Sequence, residues 1–298
     1  MCALFHPLGY PVLIESDAAE PLQIAADSWG SRQAIFDAPP LRLSIHTQNG
    51  PLPDAQPRYQ PRYQASADGF SLTYDRVTRS EFSIRAHSAC LHISRAVLEQ
   101  PEWFRYQLLE CLVLTALDTV YFVGLHAACV VPPGRNGVLL CGASGSGKST
   151  LAYACARAGW TFVSDDSHLA QGSEHIVTGS SDRIRLREPA RELFPELLAA
   201  PSAIAPNGKQ CIEVDPAQTL AVSDSASARH CVFLARRPGP PSLSRYPEDC
   251  AVEYFMGYNT RFDRSRAEQR LREFVLGRTW LLEYEHLADA IRTMERLP

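Results

Sequence analysis

The stretch GASGSGKST, Gly142 to Thr150, combines residue types and spacing suited to gripping phosphate. Gly142, Gly147, Lys148 and Ser149 satisfy the Walker A, or P-loop, pattern G-x-x-x-x-G-K-[ST]. Glycines let the intervening Ala143, Ser144, Gly145 and Ser146 curl, so that successive N–H groups point at phosphate oxygens. Lys148 is expected to reach the β- and γ-phosphates and the Ser149 hydroxyl to sit on Mg²⁺, with Thr150 ending the grip. Only two of the 29 basic residues are lysines, Lys148 and Lys209. A chain so biased to arginine keeps a slim ammonium where a planar guanidinium does not replace it.

Asp165-Asp166 ends the run TFVSDD, one helix beyond the loop. A magnesium nucleotide needs a carboxylate close by. A second carboxylate can take the proton of an attacking hydroxyl, a contribution of ~10²–10⁴-fold. Asp165 is assigned to the metal and Asp166 to the base, and the two roles can be exchanged. An Asx turn closing a strand is the bland alternative. Transport motors and switches carry their metal-binding acid further downstream, and no LSGGQ-like stretch is present. Neither class fits well.

Positioning these groups takes a strand before the loop, GVLLCG, and a helix after it, KSTLAYACARAG. The helix adds its positive end to the phosphate site. LHAACVV, the turn PPGRN and TFVSDD complete an alternation of short apolar strands with a helix, which predicts a sheet covered on both faces. From Pro101 a helix is expected to about Val123. Residues 1–97 read as a β-rich module, with Leu41, Leu43, Ile45, Phe70, Leu72, Tyr74, Phe82, Ile84, Leu91 and Ile93 facing inward by alternation. PLPDAQPRYQPRYQASADG between them reads as an exposed loop. The two domains expected are therefore 1–97 and 98–298. Beyond Asp166, HLAQ, EHIVTG and RIRLRE read as short strands and FPELLAA as a short helix. A hairpin or loop is expected through Asn207-Gly208. HCVFLARR and TWLLEYE read as strands, SRAEQRLREFVLG and HLADAIRTMERL as helices.

Bulk composition is that of an ordinary globular chain, with 45% apolar and 21% charged residues. A net charge of −4 implies no nucleic-acid partner. Nine scattered cysteines without a C-x-x-C suggest a reduced, cytoplasmic protein without zinc. No signal peptide is read at the start, and Glu110, Asp118 and His126 interrupt the most apolar run, which argues against a membrane span.

His126, GVLLCGASGSGKST and AGWTFVSDD together resemble the catalytic domain of HPr kinase/phosphorylase and its relatives. In that family a histidine-bearing strand precedes the P-loop and an Asp-Asp pair follows it. The likeness covers residues 120 to 170 well and the tail WLLEYEHLADAIRTMERL more loosely. It implies an α/β P-loop kinase fold related to phosphoenolpyruvate carboxykinase, here with a β-rich N-terminal module. It also implies transfer of the γ-phosphate of ATP, with Mg²⁺, to a serine hydroxyl of a peptide or protein. By position, Asp166 matches the catalytic aspartate, Asp165 its acidic neighbour, and His126 the histidine near the acceptor. The chain departs from the family in its N-terminal module, in PPGRN, and in lacking the E-x-R-G signature, where RIRLREPARELFPEL stands instead. That absence points away from phosphorolysis and towards divergent relatives that phosphorylate the tail of a lasso-type precursor peptide.

Lys209 in PNGKQ is a candidate for contact with the nucleotide or the acceptor, against an ordinary solvated turn lysine. Arg236 and Arg237 end an apolar strand and are candidates for stabilising transition-state charge. A small-hydroxyl kinase of the gluconate or shikimate type is the main rival, although such enzymes carry the loop near the amino terminus, whereas 141 residues precede it here. A carboxykinase and a nucleotide-dependent regulatory module are the others. ATP versus GTP and oligomeric state, a homo-oligomer included, stay open.

Overall fold

The computed structural model describes residues 1–52, 61–172, 175–204, 209–258 and 264–298. Contacts divide the chain into two compact units, Met1–Tyr121 with Ile204–Lys209, and Phe122–Ala203 with Gln210–Pro298. The division falls at Tyr121. The helical turns Pro101–Trp103, Phe104–Glu110 and Cys111–Val120 thus cluster with the first unit rather than with the second.

The first unit carries a seven-stranded mixed sheet. Its order is Cys2–Phe5, Val12–Ser16, Leu41–Gln48, Ser88–Ser94, Arg79–Ser83, Gly69–Thr73, Arg62–Ser66. Period-two alternation turns Leu41, Leu43, Ile45, Leu91 and Ile93 inward, each at most 1% exposed. Ile84 departs from the expectation. Its strand ends at Ser83, its amide turns back to the Asp68 carbonyl, and its side chain faces outward. Within the segment read as a loop, Arg62–Ser66 is the exposed edge strand of this sheet, while the first RYQ, residues 58–60, lies outside the described residues. The strand Val12–Ser16 and the helix Glu20–Trp29 were not anticipated. The helix places Pro21, Ile24, Ala25, Ser28 and Trp29 on one buried face.

The second unit is a mixed α/β sheet with helices on both faces. The loop strand Gly137–Cys141 runs antiparallel to Ala127–Val131 and parallel to Ser225–Arg236, which is itself parallel to Thr279–Tyr284. Alternate residues of these strands feed two cores. Val138, Leu140, Val232 and Leu282 pack with the helices Lys148–Arg157 and Leu287–Met294. Leu139, Cys141, Cys231 and Phe233 pack with Glu248–Tyr258 and Arg264–Val275. Burial on both faces explains why these strands read as unbroken apolar runs.

The run read as one strand, LHAACVV, is two: Phe122–Leu125 and Ala127–Val131, with His126 at the break. The preceding helix accordingly ends at Val120, not Val123. FPELLAA is a single 3₁₀ turn, Pro195–Leu197, after the short helix Ala190–Leu193. Asn207-Gly208 lies outside the described residues. No described helix is long and apolar enough to cross a membrane.

Candidate active site

The phosphate loop bridges the buried strand Gly137–Cys141 and the helix Lys148–Arg157. Two glycines make that passage possible. At Gly142 φ is +147°, and a Cβ there would lie 2.7 Å from Ser146 Oγ. Gly147, the residue before the helix, sits in the left-handed region at φ +94°. Ser146 Oγ is shielded from solvent and has no hydrogen-bond partner among the described residues. An orphaned hydroxyl inside a loop of backbone N–H groups suits an incoming anion.

Lys148 is 7% exposed, and its ammonium donates to Gly142 O at 2.7 Å and Ala143 O at 3.4 Å. It also contacts His126 Nε2 at 3.0 Å, while His126 Nδ1 lies 3.1 Å from Asp166 Oδ1. An ammonium can only donate, so this network assigns the ring proton to Nδ1, donated to Asp166. Lys148, His126 and Asp166 form one chain of hydrogen bonds.

Strand connectivity explains why residues so far apart in sequence meet. Ala127–Val131 pairs with Thr161–Ser164, and Phe122–Leu125 pairs with Ser167–Ala170. Both pairs break at the same level, His126 in one chain segment and Asp165-Asp166 in the other. Ser164 Oγ and Ser167 Oγ, 2.6 Å apart, brace the acidic break. Gly179 allows the next strand to close on it, since a Cβ there would lie 2.3 Å from Ser164 Cβ and 2.8 Å from Asp166 O.

The two carboxylates differ in environment. Asp165 hydrogen-bonds the Ser149 hydroxyl and accepts from the Arg185 amide at 3.4 Å. Burial, then the charge of Asp166, push its carboxyl up to about 6, against the pull of these donors and Lys148. Packing also pushes Asp166 up. The His126 hydrogen bond, and the charges that His126, His168 and Lys148 carry when protonated, outweigh that and hold it below the usual range. The Asp166 side chain is nevertheless 71% exposed, open on one side and crowded on the other. Burial pulls Lys148 down from its ordinary value, opposed by Asp166 and Asp165.

The residues fit a magnesium nucleotide. Among the described residues no group of three or more His, Cys, Asp or Glu could hold a metal ion by itself. Magnesium beside a nucleotide usually takes one or two carboxylates plus phosphate oxygens, so Asp165 and Ser149 are a sufficient protein share. Without the cation, ionising Asp165 costs stability. Below its ordinary value of 3.8 the group is protonated in folded and unfolded chains alike, and that relative stability is lost as pH rises through about 6. Asp165→Asn is expected to raise urea-unfolding stability by about 1–3 kcal/mol near pH 8 and to change it little near pH 3. A variant less stable than the wild type near pH 8 would contradict this.

Two contacts were not read from the sequence. The helix Glu248–Tyr258 brings Tyr254 OH to His126 O at 2.6 Å, to Gly142 O at 2.8 Å and to Gly142 N at 3.1 Å. Its one proton serves one carbonyl at a time while the oxygen accepts from Gly142 N–H. Tyr254→Phe is expected to cost about 1–3 kcal/mol and to weaken nucleotide binding, because it leaves the loop entrance unpinned. Unchanged denaturation and affinity would refute that role. Tyr258 packs its ring on His126, centroids 4.3 Å apart. An acidic first turn at Glu248-Asp249 and buried Ala251, Val252, Phe255 and Met256 at helical spacing were the available signal.

Lys209 is an exposed residue ahead of the strand Gln210–Val214. Arg236 donates to Glu285 O at 3.3 Å, and Arg237 pairs with Glu283 at 3.2 Å, both at strand ends.

No family model matches this chain, and no curated protein matches it. Among solved structures, the HPr(Ser) kinase/phosphatase from Coxiella burnetii is similar at a TM-score of 0.31 and 16% identity. The match covers 58% of this chain and 95% of that one. A likeness this loose carries no weight for fold or chemistry, which rest on the residues themselves.

Proposed function

We propose that this protein is a magnesium-dependent kinase that transfers the γ-phosphate of ATP to a serine hydroxyl of a peptide or protein. The observation that carries the reading is the hydrogen-bonded chain from Lys148 through His126 to Asp166. It couples the phosphate-gripping lysine to a carboxylate placed to receive a proton.

Gly142 to Thr150 bind the phosphates through backbone N–H groups, and Lys148 turns its ammonium from the loop carbonyls to phosphate oxygens. Asp165 and Ser149 would hold a magnesium ion, which would supply positive charge to offset that of the phosphates. His126 fixes one oxygen of Asp166 and leaves the other for the acceptor. The serine oxygen forms its bond to γ-phosphorus as the bond to the β–γ bridging oxygen breaks. The electron pair leaves with ADP, and the hydroxyl proton passes to Asp166. A carboxylate held below the usual range is a weak base, which suits a loose transition state in which the proton moves late.

The openness of Asp166 favours an acceptor carried on a polypeptide over a small metabolite, which pockets generally enclose. The tail of a ribosomal, lasso-type precursor is the acceptor to try first. The test is magnesium-dependent formation of ADP from ATP that requires a serine peptide and stops with EDTA. ADP formation indifferent to peptide would count against the reading.

A further inference from the structure

Three arginines, Arg183, Arg185 and Arg187, occupy alternate positions about the strand Ile184–Leu186. Ile184 and Leu186 between them are turned into the core, each 1% exposed. The neighbouring strand offers these arginines one carboxylate, Glu213, which Arg183 meets at 3.3 Å and Arg185 at 2.9 Å. Arg187 does not share it. Its Nη2 instead contacts Ser144 Oγ at 3.3 Å, on the exposed tip of the phosphate loop. Its Nη1 would lie 3.8 Å from a Cβ built on Gly145, so nothing but backbone separates the guanidinium from the loop. Among the described residues it has no carboxylate partner within ion-pair distance.

We infer that Arg187 is a phosphoryl-binding residue that recognises the terminal phosphate of a nucleoside triphosphate at this loop. The inference rests on the kinase reading and adds to it the group that tells triphosphate from diphosphate. Arg187, Lys148 and the positive end of the helix Lys148–Arg157 surround one place, and like charges held together favour an anion between them. Arg187 is exposed at the loop tip while Lys148 is buried, so the terminal phosphate is the one proposed to meet Arg187. A planar fork of donors suits two phosphate oxygens at once, which a lysine at this position does not match. Arg236, the other arginine considered for this role, is engaged by the Glu285 carbonyl at 3.3 Å.

The experiment compares binding of ADP and of a non-hydrolysable ATP analogue, with Mg²⁺, by the wild type, Arg187→Ala and Arg187→Lys. The side chain is exposed, so neither variant is expected to unfold. Arg187→Ala is expected to weaken the ATP analogue by about 10- to 100-fold and to leave ADP within about threefold. Arg187→Lys recovers only part of the loss, and kcat of the alanine variant falls by about 10²-fold or more. If the wild type binds both nucleotides and the alanine variant keeps the same preference, the inference fails and the kinase reading stands. If the wild type binds neither nucleotide, both fail together.

Discussion

Asp166→Asn is expected to lower kcat by about 10²–10⁴-fold while nucleotide affinity stays within about threefold. Asparagine keeps an oxygen that can accept from His126 Nδ1, so the 3.1 Å link and the turn around it survive. What it loses is the capacity to take a proton, the role proposed for Asp166. In the proposed function Gly142 to Thr150 hold the phosphates, and among the described residues no hydrogen bond joins Asp166 directly to that loop. The separation of binding from turnover is therefore the signature. A variant that keeps turnover within threefold would place the base elsewhere. One that keeps an unidentified regulatory function would favour a nucleotide-dependent module over an enzyme.

Lys148→Met should act in the opposite sense, on binding first. The methionine keeps most of the stem's volume and loses the ammonium, so affinity for ATP is expected to fall by about 10²–10³-fold. Folding stability should change little. Gly142 O, Ala143 O and His126 Nε2 lose a donor, a cost of about 1–3 kcal/mol for each acceptor left truly unpaired. Against that, a desolvated cation leaves a site that depresses its protonation. Isothermal titration with ATP and a thermal melt on the same sample separate the two effects. Tight ATP binding by a well-folded methionine variant would show that the loop does not grip phosphate as described.

The phosphate loop was legible because its chemistry is local. Glycine tolerates the backbone at Gly142 and Gly147, and an apolar strand before and a helix after complete the context. The two-faced burial of the second unit was legible for a similar reason, in apolar runs such as GVLLC and HCVFL. The Asp165-Asp166 pair was nameable from its place one helix beyond the loop, whereas His126 was nameable only through a family resemblance. Spacing alone does not bring them together; the simultaneous break in two strand pairs does, and that is a property of pairing. Arg187 was hidden among many arginines, and only the shared Glu213 shows which of its neighbours are occupied. Tyr254 was hidden because the helix carrying it follows a short strand, Ser242–Arg245, with no loop long enough to mark a new element. The helix Glu20–Trp29 escaped because proline and aspartate interrupt its apolar face in sequence, though not in space.

The most direct test of the account follows the label from γ-³²P-ATP, with Mg²⁺, in a mixture of serine-bearing peptides and small hydroxyl compounds. Label on a peptide serine, absent with Asp166→Asn and with EDTA, is the predicted result. Label confined to the small-molecule fraction, or none transferred although ATP binds, would contradict it.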